Sequence, residues 1–144
     1  MNVTRQRAGR SRCVVSRSGA AAVEFALTAP ILILFLFAAL EFGRYNMIQQ
    51  TANNAAFEAA RACVVPGATA SNGQTAGQNV LNDVGIKGAV VTISPATITT
   101  TTTTVTATVT IPVTSNLWIA PLFCTSTSTS KSCTLTCEWT DSAR

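Results

Sequence analysis

The chain has 144 residues, of which 47% are hydrophobic and only 11% are charged, and it contains no histidine. Without histidine the chain lacks the usual general base and the commonest metal ligand, so the composition disfavours an enzyme and predicts no cofactor and no metal. Its length allows one small domain beside one apolar anchor.

The excess of basic residues that gives the chain its formal charge of +4 lies before Gly19, where there are five arginines and no acidic residue. From Ala20 onward, five basic and six acidic residues nearly balance. A cluster of arginines directly before an apolar run follows the positive-inside rule better than it fits a nucleic-acid-binding arm. Residues 1–19 are therefore predicted to be a leader on the cytoplasmic side of a membrane, and no nucleic-acid partner is expected.

Residues 20–42 form the predicted transmembrane helix. The uncharged run within it, residues 25–40, is shorter than the roughly 20 residues that span a bilayer, so residues 20–23 must complete the span. Glu24 then lies inside the apolar segment, where a carboxylate is costly unless it reaches the interface or a cationic partner. Pro30 predicts a kink or a locally unwound turn.

A soluble continuation of this helix is predicted over residues 43–65. Small and apolar side chains recur there at spacings of three and four and form what we call the alanine stripe: Ile48, Ala52, Ala55, Ala56, Ala59 and Cys63. Pro66 and Gly67 are expected to end the helix. The stripe requires a close partner, for which the remainder of the chain is the obvious candidate.

The remainder, residues 66–144, is predicted to be a small head rich in serine, threonine and β-strand. A short helix over residues 73–84 precedes three strands, which we expect at residues 89–94, 105–111 and 132–139. The predicted fold class is therefore α+β, with a long N-terminal helix and a small antiparallel sheet whose apolar face lies on the alanine stripe.

Two low-complexity runs interrupt the head, at residues 99–104 and 125–130. We interpret them as a solvated edge strand and a loop, with O-glycosylation as the alternative. Strands rich in hydroxyl groups protect a sheet edge less well than charged ones, so a partner or a glycan covering this edge is plausible.

Four cysteines follow the apolar segment: Cys63, Cys124, Cys133 and Cys137. On the oxidising side of a membrane they predict disulfides, with three possible pairings. Cys133 and Cys137 lie about 13 Å apart along a strand, too far to join each other. We favour Cys124 with Cys133 and Cys63 with Cys137, while the exchanged pairing stays open. A zinc site is disfavoured because there is neither histidine nor a C-x-x-C pair.

Residues 17–25, RSGAAAVEF, together with the apolar run that follows, resemble the processing site of type IV prepilins. In that family a membrane peptidase cuts after the glycine, and a glutamate at the fifth mature position is retained. The resemblance implies cleavage between Gly19 and Ala20. It also implies that Glu24 pairs with the new amino group of Ala20, within one chain or between neighbouring subunits.

The longer segment 19–61 resembles the TadE-like family of tight-adherence pilus proteins. The resemblance rests on the Ala-Val-Glu-Phe start, the early proline, the sequence EFGR at residues 41–44 and the Ala-Ala-Arg at residues 59–61. It implies a pilin-like fold and a pseudopilin or minor pilin that serves assembly of Flp-type pili in adhesion and biofilm formation. Whether such a protein enters the fibre or stays in the membrane is left open.

The resemblance also implies a location and partners. It implies a single-pass protein of the bacterial inner membrane, with a cytoplasmic N-terminus and an extracytoplasmic head. The implied partners are the lipid bilayer, a prepilin peptidase, other pilins or pseudopilins and the tight-adherence secretion machinery, with no small-molecule substrate.

Two other interpretations remain. An unprocessed, signal-anchored binding domain without a pilus role would show no cleavage and would tolerate Glu24→Gln. A secreted protein cut near residues 38–39 would lose the anchor, although Glu24 and the long helical continuation argue against it.

Overall fold

The computed structural model describes residues 17–117, 123 and 126–137. It contains two helices and three strands in the order α1 (Arg17–Val64), α2 (Ala70–Asp83), β1 (Val90–Ser94), β2 (Thr104–Pro112) and β3 (Ser128–Thr136). The chain divides into two compact units, Met1–Leu36 and Phe37–Arg144. The predicted α+β class, with a long N-terminal helix and a small antiparallel sheet, is confirmed.

In the first unit, α1 is continuous through Pro30. Of the kink or locally unwound turn predicted there, the unwound turn does not occur, and the kink stays a prediction. Proline removes one backbone donor, but the hydrogen bonds on either side still hold the helix. Thr28 satisfies its own hydroxyl within the helix, because Oγ1 donates to the carbonyl of Glu24 at 3.0 Å and to that of Phe25 at 3.3 Å. A polar side chain thus fits an apolar segment without an outside partner.

The sheet has the order β1-β2-β3, and both pairs are antiparallel. β2 is the central strand, and its inward side chains are fully buried: Val105, Ala107, Val109 and Ile111. The threonines between them lie on the opposite face, as the two-residue period of a strand requires. The strand predicted at residues 105–111 is confirmed.

The alanine stripe of α1 lies under this sheet. All six of its residues are at most 1% exposed, and Ala60 is buried with them. Two core clusters form along the stripe: Ile48, Ala52, Ala55 and Ala56 share one with Leu81, Ile86, Val109 and Ile111, while Ala59, Ala60 and Cys63 share the other with Ile93, Val105, Ala107 and Cys137. The stripe therefore packs on the apolar face of the sheet, as predicted.

Two buried glycines allow α2 to approach α1 closely. A Cβ built on Gly73 would overlap Cys63 Sγ and would lie 2.7 Å from the carbonyl oxygen of Ala59. At Gly77 it would lie 3.1 Å from Ala59 Cβ and 3.2 Å from the carbonyl oxygen of Ala55. Glycines weaken an isolated helix, but here they allow contact between two backbones, as small residues do wherever helices pack closely.

The starts of two elements differ from the predicted ones by three or four residues. α2 begins at Ala70 instead of residue 73, and β3 begins at Ser128 instead of residue 132. Part of the run predicted as a loop therefore belongs to β3, because β2 extends to Pro112 and supplies pairing partners down to Ser128. The other run, before β2, forms a turn in which the backbone N–H of Thr102 donates to the carbonyl of Thr99 at 2.9 Å.

Gly73→Ala tests the close approach of the two helices. The added methyl group would meet backbone and sulfur, so we expect the free energy of unfolding to fall by about 1–3 kcal/mol. Gly43→Ala is the matched control, because no heavy atom lies within 4 Å of its Cβ position and alanine favours a helix. Denaturant unfolding of the full chain in mild detergent measures both variants. Equal midpoints for Gly73→Ala and the parent chain would contradict this packing.

Candidate processing and assembly site

Gly19 and Ala20 lie in α1 close to its first residue, Arg17, and both are exposed. A Cβ at Gly19 would meet no heavy atom within 4 Å. Glycine in a helix costs roughly 0.5–1 kcal/mol relative to alanine, and no contact of the described residues requires it here. The fold therefore does not explain this glycine, which directs attention to a role in processing.

Glu24 is exposed and lies one helical turn beyond Ala20, on the same face of α1. Within the part of the chain that the structure describes, no ion pair of Glu24 is recorded, whereas Glu58 Oε2 pairs with Arg61 Nε at 3.1 Å. A carboxylate in an apolar segment requires a cationic partner or the membrane interface.

In the described part of the first unit, α1 is an apolar helix with no packed face. Its large hydrophobic side chains are all about half or more exposed: Val23, Phe25, Leu27, Ile31, Leu32, Ile33, Leu34, Phe35 and Leu36. By length and composition the helix can cross a membrane. An apolar helix near the N-terminus that buries none of this surface indicates single-pass anchoring in a membrane.

Glu41 and Arg44 attach the helix to the connection between β2 and β3. Glu41 is only 5% exposed, and its two carboxylate oxygens accept from the backbone N–H of Phe123 at 3.2 and 3.3 Å. Arg44 Nε donates to the carbonyl oxygen of Asn116 at 3.0 Å. These two charged residues of the EFGR sequence therefore bond to the head.

Asn116 joins three parts of the second unit. Its side chain, 5% exposed, donates through Nδ2 to the carbonyls of Lys87 at 2.9 Å and Pro112 at 2.8 Å. Its Oδ1 accepts from the backbone N–H of Lys87 at 2.8 Å. The backbone carbonyl of Asn116 accepts a hydrogen bond from Arg44. Asn116 therefore links α1, the connection before β1 and the end of β2. Buried polar groups that are satisfied in this way fix the arrangement of the elements they join.

Three of the four cysteines predicted to form disulfides lie among the described residues. Cys63 and Cys137 are buried in the same core cluster, and Cys133 packs against it half-buried. Cys63 and Cys133 are thiols in the structure. The disulfide predicted between Cys63 and Cys137 stays a prediction. Cys124 lies outside the described residues.

Burial perturbs two of these thiols. It raises the pKa of the Cys63 thiol; a hydrogen bond with the backbone of Gly73 lowers it, and the nearby Cys137 raises it again. Burial likewise raises the pKa of the Cys137 thiol. Both thiols are therefore held in the protonated, less reactive form. Among the described residues no three histidine, cysteine, aspartate or glutamate side chains are grouped so that they could hold a metal ion.

Sequence reasoning missed two features of this unit. Asn116 lies between segments without periodic patterning, and its partners are backbone groups, so no spacing in the sequence indicated it. The spacing of four residues between Gly73 and Gly77 was a signal of close helix packing that the sequence analysis did not use.

The fold and this segment define a class of protein: a chain with one N-terminal apolar anchor helix that continues beneath a small β-rich head. The family model described as TadE-like protein matches residues 19–61. The predicted resemblance is therefore confirmed over the segment that contains Gly19, Glu24 and the EFGR sequence, and it indicates a pilus-related protein of a generally structural kind. The match covers less than half of the chain and does not include the sheet. No curated protein and no solved structure matches the chain.

Mapping the disulfides of protein from its native membrane tests the cysteine arrangement. We expect non-reducing digestion and mass spectrometry to show Cys63 linked to Cys137, because both are buried in one cluster. Cys63→Ser and Cys137→Ser should each lower the free energy of unfolding by about 2–4 kcal/mol. The double variant should lower it by no more than either single variant. A peptide that links Cys63 to Cys133 would instead establish the exchanged pairing.

Proposed function

We propose that the chain is a pseudopilin or minor pilin, a membrane-anchored structural component for assembly of Flp-type tight-adherence pili in adhesion and biofilm formation. The observation that carries this proposal is the family match over residues 19–61. This segment contains Gly19, Glu24 and the apolar part of α1 in that order. The chain acts by its surfaces and has no catalytic role. Its partners are a prepilin peptidase, other pilins or pseudopilins and the tight-adherence secretion machinery.

The first step of this proposal is cleavage between Gly19 and Ala20. Gly19 precedes the scissile bond and is exposed, with no heavy atom of the described residues within 4 Å of its Cβ position. Glycine lowers the cost of leaving helical geometry. Both features favour entry of an extended backbone into a peptidase.

The second step is pairing of the Glu24 carboxylate with the amino group of Ala20. An α-amino group has a pKa of about 7.7–8.0 and is mostly protonated at neutral pH. The two groups lie one turn apart, which is within reach in one chain and equally available between neighbouring helices. In an apolar environment a charge is stable only when it is paired. A subunit with this pair can therefore keep Glu24 inside an apolar assembly.

The proposed location follows from the ends of the anchor helix. The five arginines of the leader lie before Gly19, which favours a cytoplasmic N-terminus in the bacterial inner membrane. The second unit follows the anchor, and its cysteines suit the oxidising, extracytoplasmic side. The alternative, an unprocessed binding domain with a signal anchor, uses the same orientation but gives Glu24 no role.

Glu24→Ala and Glu24→Gln test the charge pairing. Both variants should insert into the membrane normally, because a more apolar segment inserts at least as well. Pilus assembly should fall by about tenfold or more, since loss of only about 1.4 kcal/mol per contact has that effect. Membrane fractionation and counts of surface pili measure the two properties.

Glu58→Ala is the matched control, because it removes an exposed carboxylate that already pairs with Arg61. It should leave the pilus count unchanged. Normal piliation with Glu24→Gln would reject the pairing role and favour the signal-anchored alternative.

A further inference from the structure

The connection between β2 and β3 lies at the end of the head that is nearest to the apolar run of α1, which ends at Leu40. Val105, at the start of β2, shares a core cluster with Cys63, whereas Ile111, near its end, shares one with Ile48. Of the two helix residues, Ile48 is the closer to Leu40 in the sequence. β2 therefore runs back toward the apolar run, and the connection begins where β2 ends.

Both ends of this connection bond to one turn of α1. The carbonyl oxygen of Asn116 accepts from Arg44 Nε at 3.0 Å. The backbone N–H of Phe123 donates to the Glu41 carboxylate, with its nitrogen 3.2 and 3.3 Å from the two oxygens. Glu41 and Arg44 differ in height along the helix by only about 4.5 Å. The two ends of the connection therefore lie level with the first residues after the apolar run.

This level falls within the headgroup layer of a bilayer that α1 spans. The hydrocarbon core is ~30 Å thick and the bilayer with its polar layers ~40–45 Å, so each polar layer is about 5–7 Å deep. Glu41 follows Leu40 directly, at a rise of only about 1.5 Å. Because Phe123 is bonded to Glu41, it also lies at the depth of this layer.

Exposed hydrophobic side chains are concentrated at this level of the second unit. Phe37, which precedes Glu41 by one turn on the same face, is exposed, as are both neighbours of Glu41 in the chain and Phe123 itself. We call these four residues the exit patch: Phe37, Leu40, Phe42 and Phe123. The segment that ends at Phe123, residues 117–123, reads LWIAPLF and contains no charged residue.

We propose that the head makes a membrane contact of its own, in which Phe123 lies in the lipid–water interface of the bilayer that α1 spans. The exit patch then continues the lipid-facing surface of the anchor onto the connection between β2 and β3. Two points of attachment, the helix and this connection, hold the head against the membrane surface and restrict its rotation about α1.

Lipid is the occupant that the surroundings of the exit patch favour. Phe37 and Leu40 belong to the apolar run itself, so the patch is continuous with the surface by which the chain is anchored. Phenylalanine and leucine side chains are those that interfacial segments bury at the boundary of headgroups and acyl chains. Glu41 is compatible with this position, because its buried carboxylate accepts the N–H of Phe123. A buried charge near lipid requires such a donor.

A photoreactive phenylalanine analogue, p-benzoylphenylalanine, at position 123 tests the contact in the full chain. The chain is placed in vesicles of phosphatidylethanolamine and phosphatidylglycerol, and mass spectrometry measures lipid adducts after illumination. Phe57 is the matched control, because it is 47% exposed against 52% for Phe123 but lies about 24 Å further along α1 than Glu41. Adducts at position 123 should exceed those at position 57 by about tenfold or more, in line with the preference of a phenylalanine ring for apolar surroundings.

The same analogue at Phe35, inside the apolar run, shows that the chain has inserted. Lipid adducts at position 35 together with none at position 123 above the level at position 57 would overturn the proposal without affecting the anchor. A cross-link from position 123 to a second protein molecule instead of lipid would also overturn it, because a protein would then cover the exit patch. The experiment uses the isolated chain, so its result does not depend on processing at Gly19 or on a pilus role.

Tryptophan fluorescence provides a second readout with natural side chains. The parent chain contains two tryptophans, and Phe123→Trp or Phe57→Trp adds a third. In vesicles of phosphatidylcholine brominated near the headgroup, Phe123→Trp should raise the quenched fraction of the emission, whereas Phe57→Trp should not. Thermal unfolding checks that both variants fold like the parent. A quenched fraction that falls with Phe123→Trp would place this side chain in water and contradict the membrane contact.

Discussion

The close packing of the alanine stripe of α1 is the contact on which the rest of the head depends. Alanine side chains bury little area each, so the gain comes from short distances between backbones and many small dispersion contacts. The sheet lies on one part of this stripe, and α2 reaches it through Gly73 and Gly77. A larger residue on either side would separate the elements, and neither could bury its apolar face elsewhere.

The environment of α1 changes along its length. Up to Leu36 its large apolar side chains are exposed, whereas from Glu41 onward residues become buried within the second unit. Glu41 and Arg44 lie at the start of this packed part, and both bond to the β2–β3 connection. Buried charges are stable only with such partners. The EFGR sequence thus serves as an attachment of the head to its helix.

Much of the fold could be predicted because apolar residues recur in the sequence at the periods of a helix and of a strand. The spacing of three and four indicated the stripe, and the alternation of valine, alanine and isoleucine with threonine indicated β2. Features that depend on partners distant in the chain could not be predicted. The extension of β3 to Ser128 depends on the length of β2, and the role of Asn116 depends on backbone groups of Lys87 and Pro112.

The candidate site was predicted from its motif, and the structure adds reasons that the motif alone could not give. No packing contact of the described residues calls for glycine at position 19. No ion pair of Glu24 is recorded among these residues, so the expected cationic partner is not among its described neighbours. The unwound turn at Pro30 does not occur, because a long helix tolerates the loss of one hydrogen bond, while the alternative, a kink, stays a prediction. Processing, as proposed above, would account for both Gly19 and Glu24.

The intact mass and N-terminal sequence of the protein from its native membrane test this explanation most directly. A mature chain that begins at Ala20 is the predicted result, because cleavage after Gly19 creates the amino group that Glu24 requires. A chain that keeps the leader and begins at Met1 or Asn2 would contradict processing and leave a simple membrane anchor. A chain that begins near Glu41 would contradict the anchor itself.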